Sequence, residues 1–213
     1  QRIYVDIDGK YRLLTMPSVF EIGFNYVRWY YKTDNDMLII TNFTSAVSPE
    51  LTLEVRSKSG RAYRYLVTMQ MTMDVNEYEV PYHRVQEGNV ITFRADSASL
   101  SASVYKDLHY RLQVNGADVH VTDETALASN VVSGDASLTV LRLSESAEWT
   151  MTIQGNLDAA NAPIQARQAE EEIASYRSFY ASVMNGFHLS FKDGQDDSLF
   201  KVNALAWWYT HNM

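Results

Sequence analysis

The chain has 213 residues, enough for one large domain or a domain with an appendage. A hydrophobic share of 46% against 21% charged residues excludes global disorder, and a net charge of −8 without a basic run argues against a nucleic-acid partner. With no cysteine, disulfides and thiolate chemistry are excluded; no apolar run reaches the roughly 20 residues that cross a bilayer, so no membrane partner is expected.

The N-terminus already reads as strand, turn, strand. "YVDIDGKYRLL" has two apolar runs flanking Asp8-Gly9, a hairpin signal. There is no basic and apolar leader of a signal peptide, so a cytoplasmic location is expected. The missing initiating Met makes the start look cut. Phe20, Ile22, Phe24 and Tyr26 alternate with Glu21, Gly23 and Asn25, and the parity shifts at Val27. A bulge, or a strand buried on both faces, is the expected cause. "KTDND" is a polar turn before Met37–Thr41. The strongest strand signal is "YRYLVTMQMTM", where Tyr63, Tyr65, Val67, Met69, Met71 and Met73 fall on one face. Further strands are expected at 51–55, 90–94, 108–114, 137–143 and 149–153. About a dozen strands without intervening helices predict a mainly β fold, a large two-sheet antiparallel sandwich over 1–155.

Near Gly155 the composition turns to Ala, Gln and Glu. Ile173, Tyr176, Tyr180 and Val183 recur at helical spacing, predicting one or two helices over about 160–185 inside a helical linker, 156–197. Ser198 opens a last helix over 198–213, with Asp196 and Asp197 at its positive end. That helix carries Trp207, Trp208 and Tyr209 and lacks a stop signal, so it reads as the first helix of a truncated domain.

No catalytic constellation is visible. His83, His109, His120, His188 and His211 are dispersed without metal-ligand spacing, and no metal is expected. Asp34 and Asp36 read as turn residues, and Glu170, Glu171 and Glu172 as a solvated helix face. Asn42-Phe43-Thr44 is a glycosylation sequon, read as incidental. The aromatic run "YVRWYY" is open to two readings, a sugar-stacking surface or a sandwich core, with the core preferred.

At "VNALAWWYTHNM" the chain resembles glycoside hydrolase family 94, the inverting β-glucan phosphorylases, and within it the 1,2-β-oligoglucan phosphorylases. The matching positions are Trp208, Tyr209, His211 and Asn212. The resemblance implies an (α/α)6 barrel after the sandwich and linker, with Trp208, His211 and Asn212 as substrate-binding residues. It implies phosphorolysis: an acid protonates the glycosidic oxygen while inorganic phosphate, a co-substrate, attacks the anomeric carbon. The family's catalytic Asp and phosphate site lie beyond Met213, so no catalytic residue is expected here and no other cofactor. The expected partners are the remainder of the parent chain and a β-glucan oligosaccharide, and a homo-oligomer is open. Two other readings stay open: the sandwich of a glycoside hydrolase with the same layout, and a stand-alone sugar-binding or assembly module.

Overall fold

The computed structural model describes residues 1–70, 73, 82–127, 138–185, 202–203 and 206. Its strands are β1 (Arg2–Ile7), β2 (Lys10–Leu13), β3 (Val19–Ile22), β4 (Tyr26–Lys32), β5 (Met37–Thr44), β6 (Glu50–Ser57) and β7 (Tyr63–Met69). After them come β8 (Tyr82–Glu87), β9 (Val90–Ala95), β10 (His109–Asn115), β11 (Val119–Thr122), β12 (Thr139–Ser146) and β13 (Glu148–Asn156). A short helix α1 (Leu100–Val104) precedes β10, and α2 (Ala169–Asn185) follows β13. One sheet runs β11-β12-β7-β1-β2 and the other β3-β4-β5-β6-β13-β10-β9-β8. Every pairing is antiparallel, as the sequence predicts.

The chain divides into two compact units, 1–172 and 173–213. In the first, the inner faces of both sheets meet in one core. Val5, Tyr65, Val67, Leu141 and Leu143 come from the smaller sheet; Leu38, Ile40, Leu53, Val55, Phe93, Leu112, Trp149 and Met151 come from the larger. Each contributes roughly 1.5–3 kcal/mol by leaving water, and the period-two pattern of each strand delivers them to one side.

The first hairpin forms as expected. Ile7 pairs with Lys10 across Asp8 and Gly9, which take φ of 55° and 78°. Positive φ at both centres is the turn that matches strand twist. The parity shift at Val27 is neither a bulge nor a doubly buried strand. Residues 23–25 turn the chain between β3 and β4, with the Gly23 N–H donating to the Tyr26 carbonyl at 2.9 Å. A Cβ on Gly23 would lie 2.0 Å from the Tyr26 ring, so any larger residue there would have to displace that ring.

The outer face of the larger sheet is polar yet buried. Thr41, Glu50, Thr52, His109, Thr152 and Gln154 are all closed to water there. The residues 157–172 are fastened to this face. Asn161 Oδ1 lies 2.9 Å from His109 Nε2, and Arg111 donates to the Ala162 carbonyl at 2.8 Å. Arg167 donates to Glu50 at 2.8 Å, to Glu172 at 2.6 Å and to Ser48 at 3.2 Å. Arg28 pairs with Glu170, and Asn25 donates to the Glu172 carbonyl at 3.3 Å. These anchors, with Pro163, explain why residues 160–168 are not helical and α2 begins only at Ala169. They also correct the reading of the acidic run as a solvated face: Glu172 is buried between Arg167 and the Ala46 N–H.

In the second unit, α2 continues with Ile173 and Tyr180 buried, in line with their helical spacing. The Tyr176 and Tyr180 rings lie tilted against each other with centres 5.8 Å apart. Val202, Asn203 and Ala206 are helical. Met71, Val183's side chain, Asp196, Asp197 and the rest of the segment 198–213 expected to be helical, including Trp207, Trp208, Tyr209, His211 and Asn212, lie outside the described residues.

Candidate functional site

One cavity of the first unit, about 560 Å³, opens on the smaller sheet beside Tyr11, Arg64, His120 and Arg142; two others adjoin in a cleft between the β1–β2 hairpin and β4–β5. The register explains which side chains face it. Trp29 pairs with Ile40, Tyr31 with Leu38 and Val27 with Asn42. Directly paired residues share a face, and Leu38 and Ile40 are core, so Trp29, Tyr31 and Asn42 point inward too. The smaller sheet ends before covering them fully. Trp29 and Tyr31 are half-buried and pack against the core. The inner members of the aromatic run, Trp29 and Tyr31, pack against the core, as the preferred reading expects, and their other side lines an opening.

Two cavities adjoin there and share Leu13, Leu14, Thr15 and Tyr31. One, of about 480 Å³, is lined by Trp29, Ile40, Asn42, Leu53 and the first residues of the chain. The other, of about 340 Å³, is lined by Asp8, Arg12, Lys32, Asp34, Arg61 and Tyr63. Asn42 Oδ1 is closed to solvent and has no hydrogen-bond partner among the described residues. Its place in a core-facing register of β5 fits the reading of the sequon as incidental.

Asp36, behind the smaller cavity, holds the hydroxyl of its lining residue Tyr63. Its carboxylate accepts from the Met37 N–H at 2.7 Å, the Ser59 N–H at 2.9 Å, the Ser57 hydroxyl at 2.7 Å and the Tyr63 hydroxyl at 2.9 Å. Burial would raise its pKa, but these donors outweigh it and hold the carboxyl far below the usual range. A depressed folded-state pKa means the stabilisation is complete above the unfolded value, about 3.9, and is lost as pH falls toward the folded value. We expect Asp36→Asn to cost about 2 kcal/mol at neutral pH and to flatten the loss of stability between about pH 4 and pH 2. Thermal unfolding across that window checks both; an unchanged acid limb would refute the role. Asp36 is thus a turn residue, as expected, and Asp34 lines the cavity beside it.

Among the described residues, the histidines form no cluster. His83 pairs with Asp96 at the surface at 3.0 Å, and His109 is buried between Asn161 and the Asp107 carbonyl. Among the described residues, no group of three or more His, Asp or Glu side chains is placed to hold a metal ion. No helix there is long and apolar enough to cross a membrane.

A family model described as the glycoside phosphorylase supersandwich domain matches residues 1–155. The chain belongs to this family. Across its whole 213 residues, supersandwich and C-terminal segment together, it is 31% identical to a 1,2-beta-oligoglucan phosphorylase of Listeria innocua serovar 6a (strain ATCC BAA-680 / CLIP 11262). The chain spans 19% of that relative's length. The resemblance to β-glucan phosphorylases read from the terminal residues is borne out by the family match over the sandwich.

Proposed function

We propose that the chain is the non-catalytic supersandwich portion of a cytoplasmic enzyme that cleaves β-linked glucan oligosaccharides with inorganic phosphate. The observation that carries this is the similarity to the 1,2-beta-oligoglucan phosphorylase, which runs past the supersandwich through the whole chain. In the reaction, a carboxylic acid elsewhere in the enzyme protonates the glycosidic oxygen. Phosphate forms the new bond at the anomeric carbon from the opposite face, and the shortened glucan leaves as an alcohol. Phosphate replaces the activated water of an inverting hydrolase, so one protein carboxyl group suffices. The supersandwich supports the catalytic part, and the segment 157–172, bolted to the larger sheet, sets where the chain leaves it. Trp208, His211 and Asn212 are the residues of this chain proposed to meet the sugar.

The test is to incubate the full-length polypeptide and the 213-residue chain separately with β-1,2-linked glucose oligosaccharides and phosphate. Sugar 1-phosphate is expected only from the full-length protein. His211→Ala in that protein should lower kcat/KM roughly ten-fold, the worth of one hydrogen bond, without lowering Tm. Release of reducing sugar without sugar phosphate would favour a hydrolase and defeat the proposal.

A further inference from the structure

We propose that the cleft between the β1–β2 hairpin and β4–β5 is a binding site for a short neutral glucan. The choice of glucan rests on the function proposed above; the existence of the site rests on the cleft itself. Its two adjoining cavities, about 480 and 340 Å³, each fall within the roughly 300–1,000 Å³ of small-molecule sites. The larger offers the rings of Trp29 and Tyr31, half-buried and held against the core, beside the polar groups of Arg2, Thr15 and Asn42. Rigid aromatic faces beside a few polar groups suit a sugar, which has apolar C–H faces and an equator of hydroxyls.

Asn42 is the strongest sign. It occupies a core-facing position between Val27 and Leu53 in the sheet, where the pattern of β5 calls for an apolar residue. Its Oδ1 is sealed and unpartnered, and an orphaned buried acceptor costs about 1–3 kcal/mol. The residue itself is half-buried and lines the cavity. Its amide is part of the cavity wall, where ligand hydroxyls can hydrogen-bond to it. The rim of the neighbouring cavity interleaves Asp8 and Asp34 with Arg12, Lys32 and Arg61. Mixed signs select against neither charge strongly and suit an uncharged ligand rich in donors and acceptors.

Equilibrium dialysis of the full-length polypeptide with labelled β-1,2-linked glucotriose, phosphate left out to prevent turnover, tests this. Asn42→Leu removes the orphan and fills apolar volume, so it should fold; Trp29→Ala removes the ring face. Each is expected to bind one equivalent of glucotriose fewer per chain than the wild type at millimolar sugar. Asn42→Leu binding as many equivalents as the wild type overturns the site, and shows that Asn42 meets only water. If Trp29→Ala does not fold, Asn42→Leu alone decides. A full-length protein that performs no phosphorolysis but loses the equivalent in Asn42→Leu keeps the site and defeats the enzymatic reading instead.

Discussion

Arg167→Met should unfold about 3 kcal/mol more easily than the wild type, although Arg167 lies outside every helix and strand. Its side chain is 16% exposed and its guanidinium joins two carboxylates, with the Glu50 side chain 1% exposed and that of Glu172 10%. Burial pushes the Glu50 pKa up, but hydrogen bonds from Arg167, Ser48 and Gln154 outweigh that and hold it below its ordinary value. Hydrogen bonds to Glu50 and Glu172 in turn raise that of Arg167. Removing the cation leaves Glu50 with Ser48 at 2.8 Å and Gln154 at 3.0 Å but no opposite charge. This places the cost at the lower end of the roughly 3–5 kcal/mol seen when one member of a buried pair is lost. The sign of the pH dependence should invert. In the wild type, the Glu50 contribution is complete above its unfolded pKa and fades as pH falls through the folded one. In Arg167→Met, burial dominates and raises the folded pKa, so acidification from pH 7 toward pH 5 should stabilise the variant. Glu50→Gln combined with Arg167→Met should recover part of the loss, because the carboxylate at position 50 is then gone and only Glu172, which keeps the Ala46 N–H, is left without its cation. Urea unfolding at several pH values measures all three; equal stabilities of the single and double variants would show that the network is solvated.

The same network marks where the sequence stops being legible. Glu50, Thr52, Thr152 and Gln154 alternate with apolar residues, and a polar residue on a strand normally faces water. Here it faces the 157–172 segment, and the Thr52 and Thr152 hydroxyls pair at 3.0 Å beneath the solvent boundary. Nothing local distinguishes a threonine under water from one under a polar strap. Local signals were reliable where they arise within one element: the Asp8-Gly9 turn, the face of Tyr63, Tyr65, Val67 and Met69, and the helical spacing of Ile173 and Tyr180. They failed at the margins. The strands β8 and β11 form outer edges of the two sheets. "HRVQE" in β8 is exposed throughout and so has no apolar face to read. The turn at 23–25 looked like a shift of parity because a tight glycine turn leaves alternation on both sides almost unbroken. The candidate cleft was half legible. The aromatic run was conspicuous, but Asn42 stood out only as a sequon, because its inward register depends on pairing with β4 and β6. Trp208, His211 and Asn212 were read from family resemblance alone.

Trp149→Ala is expected to cost about 3–5 kcal/mol, toward the upper end. Trp149 is 1% exposed in β13, a strand with neighbours on both sides, β6 and β10. Its indole meets the Tyr65 ring edge-on, with centres 5.4 Å apart, so the pair couples one sheet to the other across the core. Three features oppose collapse of the resulting cavity. β13 is held in register with β6 and β10 over its length. Tyr65 is fully buried in β7, itself between β1 and β12. The turn at Gly116 presses from outside, where a Cβ would lie 2.6 Å from the Glu148 carbonyl oxygen and 3.1 Å from Trp149 Cα. One term works the other way: neither Trp149 Nε1 nor the Tyr65 hydroxyl has a partner among the described residues, and deleting an orphaned buried donor recovers about 1 kcal/mol or more. Trp149→Phe separates the two effects. It keeps a ring against Tyr65 and removes the orphan N–H, so its cost should stay below about 1.5 kcal/mol. Urea unfolding of the 213-residue chain should show Trp149→Ala shifting the midpoint with the slope unchanged, because both sheets share this core and unfold together. A Trp149→Ala cost under about 1 kcal/mol, or no difference between Ala and Phe at this position, would mean that the indole does not couple the sheets.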